Sequence, residues 1–200
     1  MDLFAGQPAF FDRQVCALVE DAEGGIRYHP HVVPASVAQD WFLALRDAIA
    51  WQSLRRPMYE RVVDVPRLVA SYALADPTLP PALLAAREAV ATVTDRPFDS
   101  VGLNLYRDGN DSVAPHNDRL HDLVEGQPIA LLSLGHARDM VIRPKPGVAG
   151  RPIRIPLAPG SVLVMSHASQ STHDHGVPKT RHPVGARISL AFRVRGARRS

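Results

Sequence analysis

The chain has 200 residues, of which 46% are hydrophobic and 22% are charged, with a formal charge of +3 and a pI near 9.4. This composition predicts one domain over residues 1–200 with a substantial core. The single cysteine, Cys16, excludes an intrachain disulfide framework and Cys-rich metal sites, so a metal would have to bind His and carboxylate groups. The sequence has no apolar run of about 18 residues and no secretory signal pattern, so we expect a soluble, cytoplasmic and monomeric protein with no membrane contact.

Two helices are predicted in the first half of the chain. Apolar residues recur at helical spacing from residue 35 to residue 51, with Ser36 as the N-cap. A second helix is predicted to begin near Pro80 and to continue to Val93, because prolines occupy its first turn and its interior is rich in alanine.

Beyond residue 98 the pattern changes to short apolar runs separated by Gly, Pro, Asn and Asp, which is typical of strands joined by turns. Because no helix is predicted between these strands, the pattern indicates an α+β fold that is mainly β, a sandwich or barrel with the helices packed on one side. The predicted strands cover Ser100–Tyr106, Ile129–Leu134, Asp139–Arg143, Arg151–Pro156, Ser161–Ser166 and Arg187–Val194.

The segment from Arg55 to Ser71 is polar, basic and interrupted by proline, which predicts a hairpin or lid outside the sandwich. This segment and the C-terminal tail from Arg193 both concentrate arginine. Two positively charged patches on a chain whose formal charge is only +3 suggest a polyanionic partner. The alternative is that these arginines are simply solvated at the surface.

A His-x-Asp sequence is the first candidate for metal binding. In an extended segment His116 and Asp118 would project from the same face, and both could reach one ion. An imidazole and a carboxylate suit Fe(II), and a second imidazole would complete a facial triad with open positions. The sequence offers His173 and His175 for that position, and composition alone does not choose between them.

The last predicted strand carries the second candidate. Its alternation places Arg187, Ser189, Ala191 and Arg193 on one face. Two arginines that point inward from a half-buried strand are costly unless each meets an anion. A bound dicarboxylate would satisfy both of them, and salt bridges to Asp or Glu are the alternative.

Together these segments resemble the AlkB family of Fe(II)/2-oxoglutarate-dependent dioxygenases, closest to its small oxidative-demethylase branch. The resemblance is carried by Pro66–Tyr72, Asn104–Asp118, Pro128–Gly135, His175–Lys179 and Arg187–Arg193. It implies a double-stranded β-helix, or jelly-roll, core over about residues 98–195 and a substrate-recognition lid over about residues 52–76.

The resemblance also implies a set of site residues. The His-x-Val-Pro-Lys pattern places the distal metal ligand at His175 rather than His173, alongside His116 and Asp118. The implied cofactors are Fe(II), 2-oxoglutarate as cosubstrate, and O2. The residues implied to contact 2-oxoglutarate are Asn104, Tyr106, Arg187, Ser189 and Arg193.

For the substrate, the resemblance implies DNA or RNA carrying an N-alkylated base that is flipped toward the iron. The implied substrate contacts are Arg55, Arg56, Tyr59, Arg61, Arg67, Tyr72 and Arg119. Family members commonly have acidic residues after His-x-Asp, where this chain has Arg119 and Leu120, and an aromatic residue where it has Ser71. Two alternatives therefore stay open: the same iron chemistry on a protein side chain or small metabolite, or a catalytically silent binding module.

Overall fold

The computed structural model describes residues 14–58 and 61–196. Within them lie twelve strands, three helices and one 3-10 turn at Leu120–Asp122. The helices are α1 Ala35–Ala48, α2 Pro81–Ala91 and the short α3 Ser169–Thr172. The strands are β1 Cys16–Val19, β2 Ile26–His29, β3 Gln52–Met58, β4 Arg61–Ala73, β5 Ser100–Tyr106, β6 Val113–His116, β7 Ile129–Gly135, β8 Arg138–Pro144, β9 Ile153–Leu157, β10 Val162–Met165, β11 His173–Val177 and β12 Arg187–Arg193. The helices of the described ranges are all too short or too polar to cross a membrane.

The strands form two antiparallel sheets. The larger sheet has eight strands in the order β1-β2-β10-β7-β12-β5-β4-β3, and the smaller has four in the order β6-β11-β8-β9. One apolar core lies between the sheets and includes Ile129, Ile142 and Ile155. A second core lies on the other face of the larger sheet, where α1 and α2 pack against β7.

Strand β12 lies near the middle of the larger sheet, between β7 and β5, and its two faces have different tasks. Ile188, Leu190 and Phe192 are fully buried in the helix-side core. The alternate residues, from Arg187 to Arg193, face the smaller sheet, as the period of two in a strand requires. The central strand therefore supports the helix layer with one face and carries polar groups into the interior with the other.

Most elements predicted from the sequence are present. Both helices occur where they were expected, and each of the six predicted strands is found with small shifts at its ends. The predicted N-cap at Ser36 is wrong, because α1 begins at Ala35 and its cap residue is Pro34. Proline has no side-chain oxygen to accept from the first N–H groups of a helix, and α1 begins without a side-chain cap. The sequence did not predict β1, β2 or β11.

The basic segment from Arg55 to Ser71 is a hairpin, as expected, but its two strands form the edge of the larger sheet. Strands β3 and β4 pair with each other, with Arg55 opposite Asp64. Strand β4 then pairs with β5 from Leu68 to Ala73, so the base of the hairpin belongs to the larger sheet. The prediction of a segment outside the sandwich is wrong for this base, because Leu68 and Tyr72 pack into the helix-side core.

Candidate metal and cosubstrate site

A cleft of about 1120 Å³ opens between β4, β5, β6 and the segment from residue 117 to residue 123. A smaller cavity of about 50 Å³ lies between the two sheets and includes His175 and Ser189 in its lining. The two spaces share Arg67, Asn104, His116 and Arg193 in their walls. His116, His175 and the predicted cosubstrate residues other than Arg187 therefore line the inner cavity at the base of an open cleft, while Asp118 lines the cleft and Arg187 is buried behind the cavity wall beside Tyr106.

Two histidines face each other where β6 and β11 pair. His175 is directly opposite His116 in the register, and their ring centroids are 4.6 Å apart. Burial, together with the neighbouring His116, lowers the pKa of His175 to about 3, so this imidazole is neutral. The Nδ1 of His116 lies 3.0 Å from the carbonyl oxygen of Ala114. Because a carbonyl can only accept, this Nδ1 is the donor, and Nε2 keeps its lone pair for a ligand.

Asp118 lies two residues beyond the end of β6. Its Oδ2 accepts a hydrogen bond of 2.7 Å from Nε of Arg193, and the two side chains are only 15% and 14% exposed. Burial acts to raise the pKa of Asp118, but the charge and hydrogen bond of Arg193 and the two imidazoles outweigh it, and the pKa is lowered. The carboxylate is therefore anionic.

The structure brings His116, Asp118 and His175 to one place without joining them in a ligating cluster. In the described part of the chain, no three His, Cys, Asp or Glu side chains are arranged to hold a metal. Asp118 is instead held by Arg193, while both imidazoles act on it electrostatically. Two imidazole nitrogens and one carboxylate form a donor set that suits Fe(II). The three residues thus fit the ion chemically, and their assignment as ligands stays a prediction.

Arg187 is the most unusual side chain of the interior. It is fully buried, and only its Nη2 makes a hydrogen bond, of 2.9 Å, to Oγ of Ser133. Its Nε and Nη1 are buried without a hydrogen-bond partner, and its guanidinium carbon lies 5.2 Å from the ring centroid of Tyr106. Burial lowers the pKa of Arg187, although the nearby Tyr106 opposes this.

These unpartnered donors make Arg187 a candidate for binding an anion. A buried charge without compensation costs several kcal/mol. Across residues 14–58 and 61–196, Arg187 has no salt bridge to Asp or Glu, so the alternative considered for this arginine does not apply. Arg193, the other inward arginine, does pair with an acid, Asp118. The predicted cosubstrate residues Asn104, Tyr106, Ser189 and Arg193 all line the inner cavity. The site therefore fits a small carboxylate ligand.

The predicted substrate residues are more scattered. Arg67 borders both the cleft and the inner cavity, and its Nε donates to Oδ1 of Asn104 at 2.7 Å. Arg119 lines the cleft and is exposed, and Arg55 is exposed on the hairpin. Tyr59 and the side chains of Arg56 and Arg61 lie outside the described residues.

Tyr72 lies between the cleft and the helix-side core. It borders the cleft, yet its side chain packs against the helix-side core. The Tyr72 side chain is directed to the core, because Val69 and Ser71 alternate with Leu68, Ala70 and Tyr72 along β4 and take the cleft side. The same alternation was visible in the sequence and could have indicated this orientation.

Several residues at the site were missed by sequence reasoning. Arg138 is buried below Tyr106, and its guanidinium donates to the carbonyl oxygens of Asp108, Asp111 and Pro178. Its alternation with apolar residues in β8 marks it as inward-facing, which is the one signal that could have found it. Gln170 and Lys145, which contact the segment around Asp118, have no such signal in the sequence.

A double-stranded β-helix with facing histidines and inward arginines defines the class of the protein as a jelly-roll oxygenase. Residues 70–193 match the 2OG-Fe(II) oxygenase superfamily, and the chain belongs to that superfamily. Its members use Fe(II) and 2-oxoglutarate, as the family name states. The predicted fold and enzyme class are confirmed.

The comparisons with curated proteins also confirm the resemblance to the AlkB family. The chain is 36% identical over 119 residues to the human DNA oxidative demethylase ALKBH2, covering 56% of this chain and 46% of that protein. It is 28% identical over 212 residues to human alpha-ketoglutarate-dependent dioxygenase alkB homolog 3, covering 95% and 74%. The chain thus spans about half the length of the ALKBH2 relative.

Two solved structures share the fold. A Pseudomonas putida prolyl-4-hydroxylase has a TM-score of 0.56 at 19% identity, over 86% of this chain and 94% of that chain. A 2OG-Fe(II) oxygenase family oxidoreductase from Burkholderia pseudomallei has a TM-score of 0.59 at 15% identity, over 84% and 85%. At these identities the likeness concerns the fold alone.

Proposed function

We propose that this chain is an Fe(II)- and 2-oxoglutarate-dependent dioxygenase that removes N-linked alkyl groups from nucleobases of DNA or RNA, as in repair of alkylation damage. The buried Nε and Nη1 of Arg187, which have no partner, carry the proposal, since a carboxylate would satisfy them beside Tyr106, and Tyr106 lines the inner cavity together with His116 and His175. The choice of substrate is supported by the name of the ALKBH2 relative, a DNA oxidative demethylase.

In this proposal His116, His175 and Asp118 would hold the ion. The low pKa of His175 keeps its imidazole neutral and its lone pair free, and Asp118 supplies the negative charge. When bound, Fe(II) with 2-oxoglutarate and O2 supplies an oxidant for a carbon–hydrogen bond, with succinate and CO2 as co-products. The protein contributes ligation, orientation and exclusion of water.

The cosubstrate would lie along β12 and β5. Arg187 would pair with its distal carboxylate and Arg193 with the other end, because guanidinium groups bind carboxylates with two parallel hydrogen bonds. Asn104, Tyr106 and Ser189 line the same cavity and offer further polar contacts. Arg187 and Ser189 lie opposite Tyr106 and Asn104 in the strand register, so the ladder fixes their relative positions.

The cleft has the size and charge that a flipped nucleotide needs. Its volume of about 1120 Å³ exceeds that of a single base, and Arg67, Arg119 and Arg195 line it. Cationic walls of this kind bind phosphates, and a base extruded from its stack can reach a buried centre. Hydroxylation of an N-methyl carbon gives a hemiaminal, which collapses to formaldehyde and the free base. We place this activity in the cytoplasm and in a monomer, since the lone free Cys16 suits a reducing compartment.

The test separates the iron chemistry from the substrate. Anaerobic addition of Fe(II) and 2-oxoglutarate to the folded protein should give the visible charge-transfer band of the chelate, and absence of the band refutes the dioxygenase. Incubation in air with oligonucleotides carrying methylated adenine or cytosine should then lower the mass by one CH2 unit per lesion, because each N-methyl group is replaced by hydrogen. If the band forms and 2-oxoglutarate is consumed but no N-methyl base loses its methyl group, the substrate is instead a protein side chain or a metabolite.

Arg119→Glu offers a matched variant for the substrate step. Because Arg119 lines the cleft but not the inner cavity, its reversal of charge should raise the KM for the oligonucleotide and leave the chelate band unchanged. If the variant turns over the oligonucleotide as wild type does, Arg119 does not contact the nucleic acid.

A further inference from the structure

The backbone around Asp118 is not fixed by the sheet that positions the two histidines. Strand β6 ends at His116, which is directly opposite His175 in the ladder with β11. Asp118 lies past this end, and its backbone N–H donates instead to Oε1 of Gln170, at 3.0 Å. The backbone of Asp118 is therefore held by a side chain, whereas the backbones of the two histidines are held by strand pairing.

Gln170 is well placed to hold this N–H in one position. It lies in α3, is 1% exposed, and its Nε2 donates to Oγ of Ser169 at 3.3 Å. Helix α3 continues directly into β11, which carries His175 five residues further on. One hydrogen bond thus connects the segment of Asp118 with the segment of His175, which are far apart in the sequence.

Lys145 connects the same two segments a second time. Its Nζ donates to Oδ1 of Asn117 at 2.9 Å and to the carbonyl oxygen of Gln170 at 2.8 Å. Its backbone N–H donates to the carbonyl oxygen of Thr172 at 2.9 Å. Asn117 in turn donates from Nδ2 to the carbonyl oxygen of Asp118 at 2.8 Å. The N–H and the carbonyl of Asp118 are therefore both held through this network.

We propose that Gln170 and Lys145 are positioning residues, which hold the backbone segment of Asp118 next to the paired segments of His116 and His175, so that the Asp118 carboxylate is available for metal binding. The inference rests on the proposed function, in that Asp118 is taken as a metal ligand. Arg193 holds only the carboxylate of Asp118, whereas Gln170 and Lys145 hold its backbone. Groups that orient metal ligands typically change metal affinity by about 10–100-fold when they are lost.

The experiment measures metal binding itself rather than turnover. The full-length protein is titrated with Mn(II) alone, without 2-oxoglutarate, and free Mn(II) is followed by electron paramagnetic resonance. Gln170→Met keeps the size of the side chain but loses the acceptor, and its Kd for Mn(II) should rise about 10–100-fold. Gln170→Glu keeps an acceptor oxygen, and its Kd should return to within a few-fold of wild type.

Thr94→Val is the matched control. Thr94 is a buried polar residue after α2, and its hydroxyl donates to the carbonyl oxygen of Val90 on the helix side of the larger sheet. Its replacement also removes one buried hydrogen bond while keeping the shape. It should lower the thermal unfolding temperature of the metal-free protein comparably and leave the Kd for Mn(II) unchanged.

Lys145→Met gives a second, independent variant in case Gln170→Met does not fold. Lys145 is partly exposed, so its replacement is compatible with folding. Its Kd for Mn(II) should also rise about 10–100-fold. If Asp118→Ala abolishes Mn(II) binding while every folded variant at 145 and 170 binds like wild type, the positioning role is wrong and the proposed function stands. If the wild type does not bind Mn(II), or Asp118→Ala binds it unchanged, the proposed function itself fails.

Discussion

Replacing Arg187 by methionine removes a buried charge and leaves a side chain of similar length in its place. In the ligand-free protein Nε and Nη1 of Arg187 have no partner, and only Nη2 is bonded, to Ser133. Substituting a buried ionic group by an apolar one of similar volume is often neutral or stabilising by about 1–4 kcal/mol. Loss of the bond to Ser133 costs about 1 kcal/mol in return. The free energy of unfolding of the ligand-free variant should therefore lie between about 1 kcal/mol below and about 3 kcal/mol above that of wild type.

Binding of 2-oxoglutarate should change in the opposite direction. The two unpartnered donors would make two hydrogen bonds to a carboxylate, each worth about 1.5–3 kcal/mol when a charged group takes part. Their loss amounts to about 3–6 kcal/mol, and about 1.4 kcal/mol corresponds to a factor of ten. Affinity should therefore fall by about 10²–10⁴-fold, which calorimetric titration of the Mn(II)-loaded protein would measure.

Arg138→Met is the control, because the structure contrasts two buried arginines beside the same Tyr106. Arg138 donates to three carbonyl oxygens, whereas Arg187 has two donors left over. Arg138→Met should lower the free energy of unfolding in urea by several kcal/mol, because three backbone carbonyl oxygens lose their donor and at least one of these bonds is buried. If Arg187→Met instead loses several kcal/mol and binds 2-oxoglutarate normally, Arg187 is a structural residue and the reasoning fails.

Three further predictions follow from the same structure. Burial acts to raise the pKa of Asp111, but the hydrogen bonds and charge of Arg107 outweigh it and lower the pKa. The ionised Asp111 therefore stabilises the fold fully above the unfolded pKa of about 3.9, and this stabilisation is lost as the pH falls through the folded pKa. Asp111→Asn should accordingly flatten the loss of unfolding free energy that is measured between about pH 5 and pH 2. His175→Ala should abolish Mn(II) binding while His173→Ala retains it, and the reverse result in the same titration would overturn the ligand assignment. Gly135→Ala should lower the unfolding free energy measured in urea by about 2–4 kcal/mol, because Gly135 has a φ of +80° and an added Cβ would lie 2.5 Å from the backbone oxygen of Ala186. An unchanged midpoint of urea unfolding would contradict this packing.

The sequence predicted those parts of the fold that have a regular pattern. Strand β12 is the clearest case, because apolar and polar residues alternate along its whole length and the two faces lie where the alternation places them. Strand β11 was missed, since His173–Val177 has only one strongly apolar residue and its strand form depends on pairing with β6 and β8. In this case tertiary contacts determine a local conformation that propensity does not.

The site residues, like the strands, could be predicted only where they follow a regular spacing in the sequence. The spacing of His116 and Asp118, and of Arg187 and Arg193, gave the candidates that the fold brings together. Gln170 could not be found in this way, because its contact with the backbone of Asp118 joins residues 52 positions apart and follows no period. Such a contact can be recognised only when the two segments are seen in space.

The hairpin of β3 and β4 has a consequence for how this protein could acquire new substrates. Strands β5, β7 and β12 contribute residues to the inner cavity with one face and support the helix layer with the other. A one-residue insertion in β12 would therefore turn Ile188 and Leu190 toward the cavity and polar residues such as Arg187 and Ser189 toward the helix layer, which would disrupt both faces. The outer part of the hairpin, with Arg55 opposite Asp64, is bound at one end only, at the margin of the sheet. Length and sequence can vary there at low cost, so specificity can diverge at this margin while the chemistry stays constant.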